Sequence, residues 1–470
     1  MLKTIIEKEL KDIIGSSKFV TTFAMSSLLI IFSFYIGARN YQVSTERYEA
    51  SKKENVRKLE GITDWVMVRD YRVFLPPQPI TSIVMGVSND IGRTADIQGR
   101  GEINAEDNRY GDDPVFAVFR FLDLDFIFQI ILSLFAILFG YDAINGEKER
   151  GTLKLTFANG VPRATFILGK MLGSVFGLGV PLLIPMLIGG LVLIAMGIPL
   201  LPEDWIRLAL INAAGLLYFV TFLSLSIFVS SMTQRSSTSF LVLLAVWVLG
   251  VMVWPRASVL IAGRAVDVPA VDELNVQKAK FNRQLWEEDR KKMSDFRAPT
   301  NTPPQEMMQE FQKFMGDLGD QRQKKNDEFV ARLNEERSNK QRVQERLSLA
   351  LARLSPSATV SLLNMSIAGT GIEMKEAFKR SAESYQISYA EFMKQKTGMN
   401  VGGGFVVRIS TDDDEEKVPI DANEIPPFMF DVPSLRESAG SIAIDFGILI
   451  AYTLLFFAGS FVAFLRYDVR

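Results

Sequence analysis

The sequence predicts a mainly α membrane protein: six transmembrane helices plus a mixed α/β extracytoplasmic domain with a long helical hairpin. Three observations carry this. Apolar residues make up 48% of the 470-residue chain but are bunched into runs near bilayer length, close to 20 residues each. Six such runs occur, at 19–37 (TM1), 122–141 (TM2), 171–196 (TM3), 208–230 (TM4), 238–254 (TM5) and 441–465 (TM6). Between them lie two long polar intervals, 38–121 and 256–440, far too charged to enter lipid.

The chain opens with an amphipathic segment, residues 1–18. Leu2, Ile5, Ile6, Leu10, Ile13 and Ile14 recur at helical spacing, with Lys3, Glu7, Lys8, Lys11 and Asp12 elsewhere. Such a helix lies in the headgroup plane, apolar face down, and forms an elbow before TM1. TM1 is too long for a cleaved leader's core and reads as an uncleaved signal anchor. The short loops set the orientation. Lys3, Lys8, Lys11 and Lys18, then Lys148, Arg150, Lys154, Arg163 and Lys170, then Arg235, Arg466 and Arg470 fall on one side. The opposite loop has only Arg207 beside Glu203 and Asp204. Cytosolic N- and C-termini follow, with 38–121 and 256–440 outside.

The segment 142–170, DAINGEKERGTLKLTFANGVPRATFILGK, is the most informative of the chain. It joins TM2 to TM3 through Gly146, Glu147, Glu149, Arg150, Gly151 and Thr152, and turns at Gly160 and Pro162. Its charges, Glu147, Lys148, Glu149 and Arg150, are expected to face water or a partner. Lys170 is expected to snorkel to the interface. Gly169–Lys170 is not a phosphate loop, because Ala164 stands where the first Gly is needed and Met171 replaces Ser or Thr.

TM3 carries Gly169, Gly173 and Gly177 at every fourth position, a spacing that allows close helix approach, then Pro181 and Pro185, which are expected to kink or break it. Asp123, Asp125 and Asp445, near the outer span ends, and Asp142, near an inner one, are expected to be solvated at the interface. Residues 38–121 hold short alternating stretches broken by prolines, and read as a small unit with some strand. The interval 256–440 opens with a charged helix over 272–296. A second follows over 305–354, with Met307, Phe311, Phe314, Leu318, Phe329, Leu333, Val343, Leu347 and Leu354 spaced for a hairpin or coiled-coil arm. A third is expected over 372–396, then a strand at 402–410 and an acidic loop at 412–416.

Composition removes several functions. The chain has no Cys and no His, which leaves no disulfide, thiol chemistry or Ser–His pair. No catalytic, cofactor or metal residue is nominated. A net charge of −2 gives no case for nucleic acid.

The 142–170 segment closely resembles the cytosolic coupling segment of ABC-2-type permeases. Three passages, FLPPQPITSIVMG at 74–86, FRFLDLDFIFQIILSLFAILFGYDAINGEKERGTLKL at 119–155 and LARLSPSATVSLLNMSIAGTG at 351–371, resemble one type V branch with a large extracytoplasmic domain. That branch lies near the gliding-motility and nitrous-oxide-reductase-maturation permeases. The resemblance implies a dimer with a second permease copy or paralogue, in a prokaryotic inner membrane. It implies a separate cytosolic ABC ATPase that binds ATP and Mg and pushes on 142–170, with spans one, two and five near the central path. Export of an unnamed substrate is the expected function. The alternative is a mechanotransmitter that moves no cargo and acts on an extracytoplasmic protein.

Overall fold

A computed structural model describes residues 1–68, 71–86, 93–97, 105–106, 123–295, 304–397 and 419–466. The chain forms two compact units, Met1–Val251 with Ser355–Arg470, and Met252–Leu354. Among the described residues, six helices are long and apolar enough to cross a membrane: Ser17–Arg57, Leu124–Glu149, Arg163–Ala195, Pro202–Met232, Ser236–Ala265 and Leu435–Arg466. The first continues well past the apolar run at 19–37. Leu187, Leu191, Leu249 and Leu454 stand more than half exposed on them, the outward apolar surface that a lipid solvent covers.

The larger unit begins with α1 (Leu2–Ile14) and α2 (Ser17–Arg57). Ser16 makes the elbow between them: its hydroxyl donates to Ile13 O at 2.7 Å and accepts from Phe19 N at 3.1 Å, which caps α2. The next span, α3, runs from Leu124–Phe126 through a π-helical stretch, Ile127–Leu132, into Ser133–Gly140. Two short helices follow, α4 (Asn145–Glu149) and α5 (Thr152–Ala158), then the spans α6 (Arg163–Ala195), α7 (Pro202–Met232) and α8 (Ser236–Trp247). α6 passes through Pro181 and Pro185 without a break, so of the expected kink or break the break does not occur. Neighbouring spans satisfy or shield the freed carbonyls in such helices.

The smaller unit contains α9 (Trp254–Ala265), α10 (Val271–Asp295) and α11 (Pro304–Ala352). α10 and α11 form the expected hairpin. Phe281 stacks on Phe329 with ring centroids 4.0 Å apart. Arg322 donates to Asp289 at 2.7 Å while its guanidinium lies 3.8 Å over the Trp286 ring. Gln344 and Arg337 reach back to Val266 O and Pro269 O, and Trp254 Nε1 to Leu351 O. The expected apolar stripe closes only in part: Leu318 is buried, whereas Phe311, Val343 and Leu354 remain exposed. The Met307 side chain lies outside the described residues.

The chain then returns to the larger unit through α12 (Pro356–Ala368), α13 (Ile372–Thr397) and the last span, α14 (Leu435–Arg466). α12 is a departure from expectation. It packs against α7 and α14, inside the bundle of spans, and Val360, Leu363 and Ile367 are fully buried there. Ser355 caps it and Gly369 ends it at φ 69°, where Arg207 donates to Ile367 O at 3.0 Å. α12 covers Asp125, which corrects the picture of a solvated carboxylate there. Asp125 and Asp445 are buried, Asp123 caps its own helix by accepting from Phe126 N at 2.9 Å, and Asp142 pairs with Lys18 at 3.5 Å.

A second core lies under a three-stranded antiparallel sheet, β1 (Tyr71–Phe74), β2 (Thr94–Ile97) and β3 (Ala105–Glu106), with Val73 opposite Ala95. Met374, Phe378, Ala382, Tyr385, Tyr389 and Met393 of α13, three to four residues apart, fill it. The strand expected at 402–410 and the acidic loop at 412–416 lie outside the described residues.

Tyr71, Tyr385 and Tyr389 stack in this core. Burial holds the Tyr389 phenol at about 12, above its ordinary 10.0, and pushes Tyr385 and Tyr71 up as well. A phenol that stays protonated when folded, while the unfolded chain ionises near 10.0, stabilises the fold below that pH and loses the contribution as pH rises through the folded value. Alkaline titration is therefore expected to show phenolate absorbance appearing late and cooperatively, together with loss of this core. A gradual rise centred near 10 for all tyrosines contradicts it.

Candidate functional site

The segment between α3 and α6 is built from two turns that glycine permits. α4 stops at Gly151, whose φ of 73° lies in the left-handed region, and α5 stops before Gly160 at 74°. Pro162, fixed near −62°, then leads into α6. Thr152 ties the first turn by donating to Glu147 O at 3.3 Å.

α4 is clamped between the end of α7 and the start of α8. The Ser230 hydroxyl accepts from Ile144 N at 3.1 Å and Asn145 N at 3.2 Å. The Asn145 amide meets the Thr233 hydroxyl at 2.8 Å. Lys148 donates to Ser231 O at 3.0 Å and Thr233 O at 3.2 Å, which satisfies carbonyls left free at the end of α7. Glu149 accepts from Ser236 N at 2.8 Å and Ser236 Oγ at 3.0 Å, which caps α8. Gly146 lies inside α4.

On the other side, α4 joins a buried ion cluster. Lys170 Nζ lies 2.8 Å from Glu147 Oε1 and 2.9 Å from Glu9 Oε2, and only 7% of the residue is exposed. Ser174 donates to Glu9 at 3.2 Å, and Lys8 stands 3.8 Å from Glu147. The expectation that Lys170 snorkels is thus overturned, because two carboxylates hold its ammonium inside. The expectation that Glu147 and Lys148 face water or a partner also falls: both are held by this chain. Arg150 remains exposed, and Glu149, though exposed, spends both oxygens on Ser236.

The glycines of α6 explain how α1 reaches this cluster. A Cβ at Gly169 would lie 2.9 Å from Ile5 Cβ, at Gly173 2.7 Å from Glu9 Cβ, and at Gly177 3.2 Å from Leu10 Cδ2. The stripe is the seat of α1. Glu9 is the residue that the sequence reading passed over. It sits between Ile5 and Ile13 at four-residue spacing, so a carboxylate lies on the apolar face of α1. That anomaly, beside a lysine adjoining a glycine stripe, was the available signal.

α2 is fastened to the same end of the bundle. Lys18 pairs with Asp142 and lies 4.6 Å from the centroid of the Tyr141 ring. What remains free is one side of the α4–α5 turn: Arg150, Gly151, Lys154, Leu155, Asn159 and Gly160 are exposed, with Leu155 at 66%.

Residues 3–469, nearly the whole chain, match the family described as ABC-2 family transporter protein. The chain belongs to that family. It is therefore a multi-pass ABC permease subunit, and ABC-2 family membership implies a partner ATPase and a membrane setting. No curated protein matches the sequence.

Proposed function

We propose that the chain is the permease subunit of a type V ABC-2 exporter, driven by a separate cytosolic ATPase that carries ATP and Mg and docks on the exposed side of α4 and α5. The observation that carries this is the wiring of α4. Glu147 joins it to α6 and α1 through Lys170, while Asn145, Lys148 and Glu149 join it to α7 and α8. A push on this one short helix thus bears on three spans and the elbow helix together. In this reading both termini are cytosolic, the membrane is a prokaryotic inner membrane, and a second copy or paralogue completes a dimer.

A second reading, mechanotransmission to an extracytoplasmic protein, draws support from the Met252–Leu354 unit. A helix of 49 residues and its partner are far more than a permease needs to line a path.

The test is reconstitution with the ATPase. The chain alone is expected to hydrolyse no ATP above background. Arg150→Glu with Lys154→Glu reverses the charge of the exposed side, and is expected to weaken ATPase co-purification at least tenfold, about 1.4 kcal/mol. Gly151→Trp, which forces a bulky side chain into a left-handed position, is expected to do the same. Unchanged co-purification and hydrolysis in both variants would remove the docking assignment.

A further inference from the structure

The end of α3 remote from α4 holds a carboxylate that the proposed function does not use. Asp125 is buried, and its oxygens accept from Asn364 Nδ2 at 2.8 Å, Ser361 Oγ at 2.7 Å and Gln129 Nε2 at 2.5 Å. Gln129 in turn accepts from Ser357 Oγ at 3.1 Å. Ser357, Ser361 and Asn364 are four and three residues apart, so one face of α12 meets Asp125 and Gln129 one turn apart on α3. Gln129 lies in the π-helical stretch, a distortion frequent at functional sites. A carboxylate taken out of water among spans needs these donors, and parting α3 from α12 would strip it of Ser361 and Asn364 and leave only Gln129 of its own helix.

A second strap runs beside the first. Leu124 N donates to Ile83 O at 3.1 Å and Met85 N to Asp123 Oδ2 at 3.2 Å. Gly86 comes so close to Thr370 that a Cβ would lie 2.7 Å from the Thr370 carbonyl oxygen. Thr370 stands in the three-residue link from α12 to α13, and α13 carries the aromatic core on its buried face. Residues 83–86, 123–129 and 357–370 therefore converge on one joint.

We infer that Asp125 is a positioning residue that fastens α3 to α12, so that displacement of α3 at its α4 end is delivered to α12 and on to α13. The inference rests on the proposed docking of an ATPase at α4, and the joint serves export and mechanotransmission alike.

Hydrogen exchange read by mass spectrometry on the complex of the full chain with its ATPase tests this, with and without ATP and vanadate. In the wild-type complex, nucleotide is expected to change exchange over 145–158 and over 356–397. In Asp125→Leu the first change is expected to persist and the second to be lost. A merely structural role raises exchange near α12 in both nucleotide states and leaves the difference between them intact. Should Asp125→Leu fail to fold, Ser361→Ala and Asn364→Ala, made singly, loosen the same grip from α12 and are expected to diminish the 356–397 difference. A full nucleotide difference over 356–397 in these variants overturns the joint. No nucleotide change over 145–158 in the wild-type complex overturns the docking reading instead, and the joint with it.

Discussion

Lys170→Met is expected to be the most damaging single substitution at the α4 end of the bundle. It leaves Glu9 and Glu147 facing each other in a seam where Lys170 now lies 2.9 and 2.8 Å from them. Removing one partner from a buried ion pair costs about 3 to 5 kcal/mol, because the remaining charge is neither solvated nor compensated. α1 should detach from α6, and α4 should lose its tie to both. The measurements are thermal unfolding in detergent and proteolysis of the first residues of the chain. Glu9→Gln with Glu147→Gln, added to Lys170→Met, removes the stranded charges and is expected to recover most of the stability. Because an uncharged cluster of the same shape still packs, recovered stability without recovered ATP-driven activity assigns the charges to coupling. Recovery of both assigns them to packing alone.

Gly173→Leu is expected to have the second largest effect, and by a different route. The first atom of the new side chain would already be 2.7 Å from Glu9 Cβ, with three more carbons behind it. Glu9 is held by Lys170 and Ser174, so it cannot swing away without breaking both contacts. Overpacking of this kind costs about 1 to 3 kcal/mol, and loss of the Glu9–Lys170 pair adds to it. Gly169→Leu meets Ile5 as closely, its Cβ 2.7 Å from Ile5 Cγ2, but breaks no ion pair there and is expected to be milder. Equal stability of both variants with the wild type would show that α1 is not seated on the stripe.

The parts of the fold that sequence made legible are those decided by long local patterns. The six spans are visible because each needs an unbroken apolar run, and α10, α11 and α13 because their periodicity persists over many turns. α1 is legible as an amphipathic helix, but its seat is not, since the partner surface lies more than 150 residues away. α12 was hidden for a physical reason. At 13 residues it is too short to cross a bilayer, so its apolar face read as part of a solvated region. Asp125 follows from this: beside the end of an apolar run it looks interfacial, and it is α12 that covers it with Ser361 and Asn364. The charges of α4 were misjudged similarly. GEKER looks like a solvated loop in one dimension, yet the ends of α7 and α8 supply carbonyls and amides that Lys148 and Glu149 satisfy.

These contacts also divide the 142–170 segment into residues that hold α4 in place and residues left free to meet another protein. Glu147 and Glu149, the most conspicuous charges in the sequence, belong to the first group. Arg150, Lys154 and Leu155 belong to the second.

The central claim is that a separate ATPase covers the free side of α4 and α5. The chain has no cysteine, so a single Leu155→Cys substitution places one thiol on that surface. The most direct measurement is its rate of modification by a water-soluble maleimide, in the isolated chain and in the complex with ATPase. The account predicts rapid labelling of the isolated chain and strong protection in the complex, with Cys introduced at the equally exposed Leu201 labelled alike in both. Equal labelling at Leu155→Cys in the presence and absence of bound ATPase would contradict it.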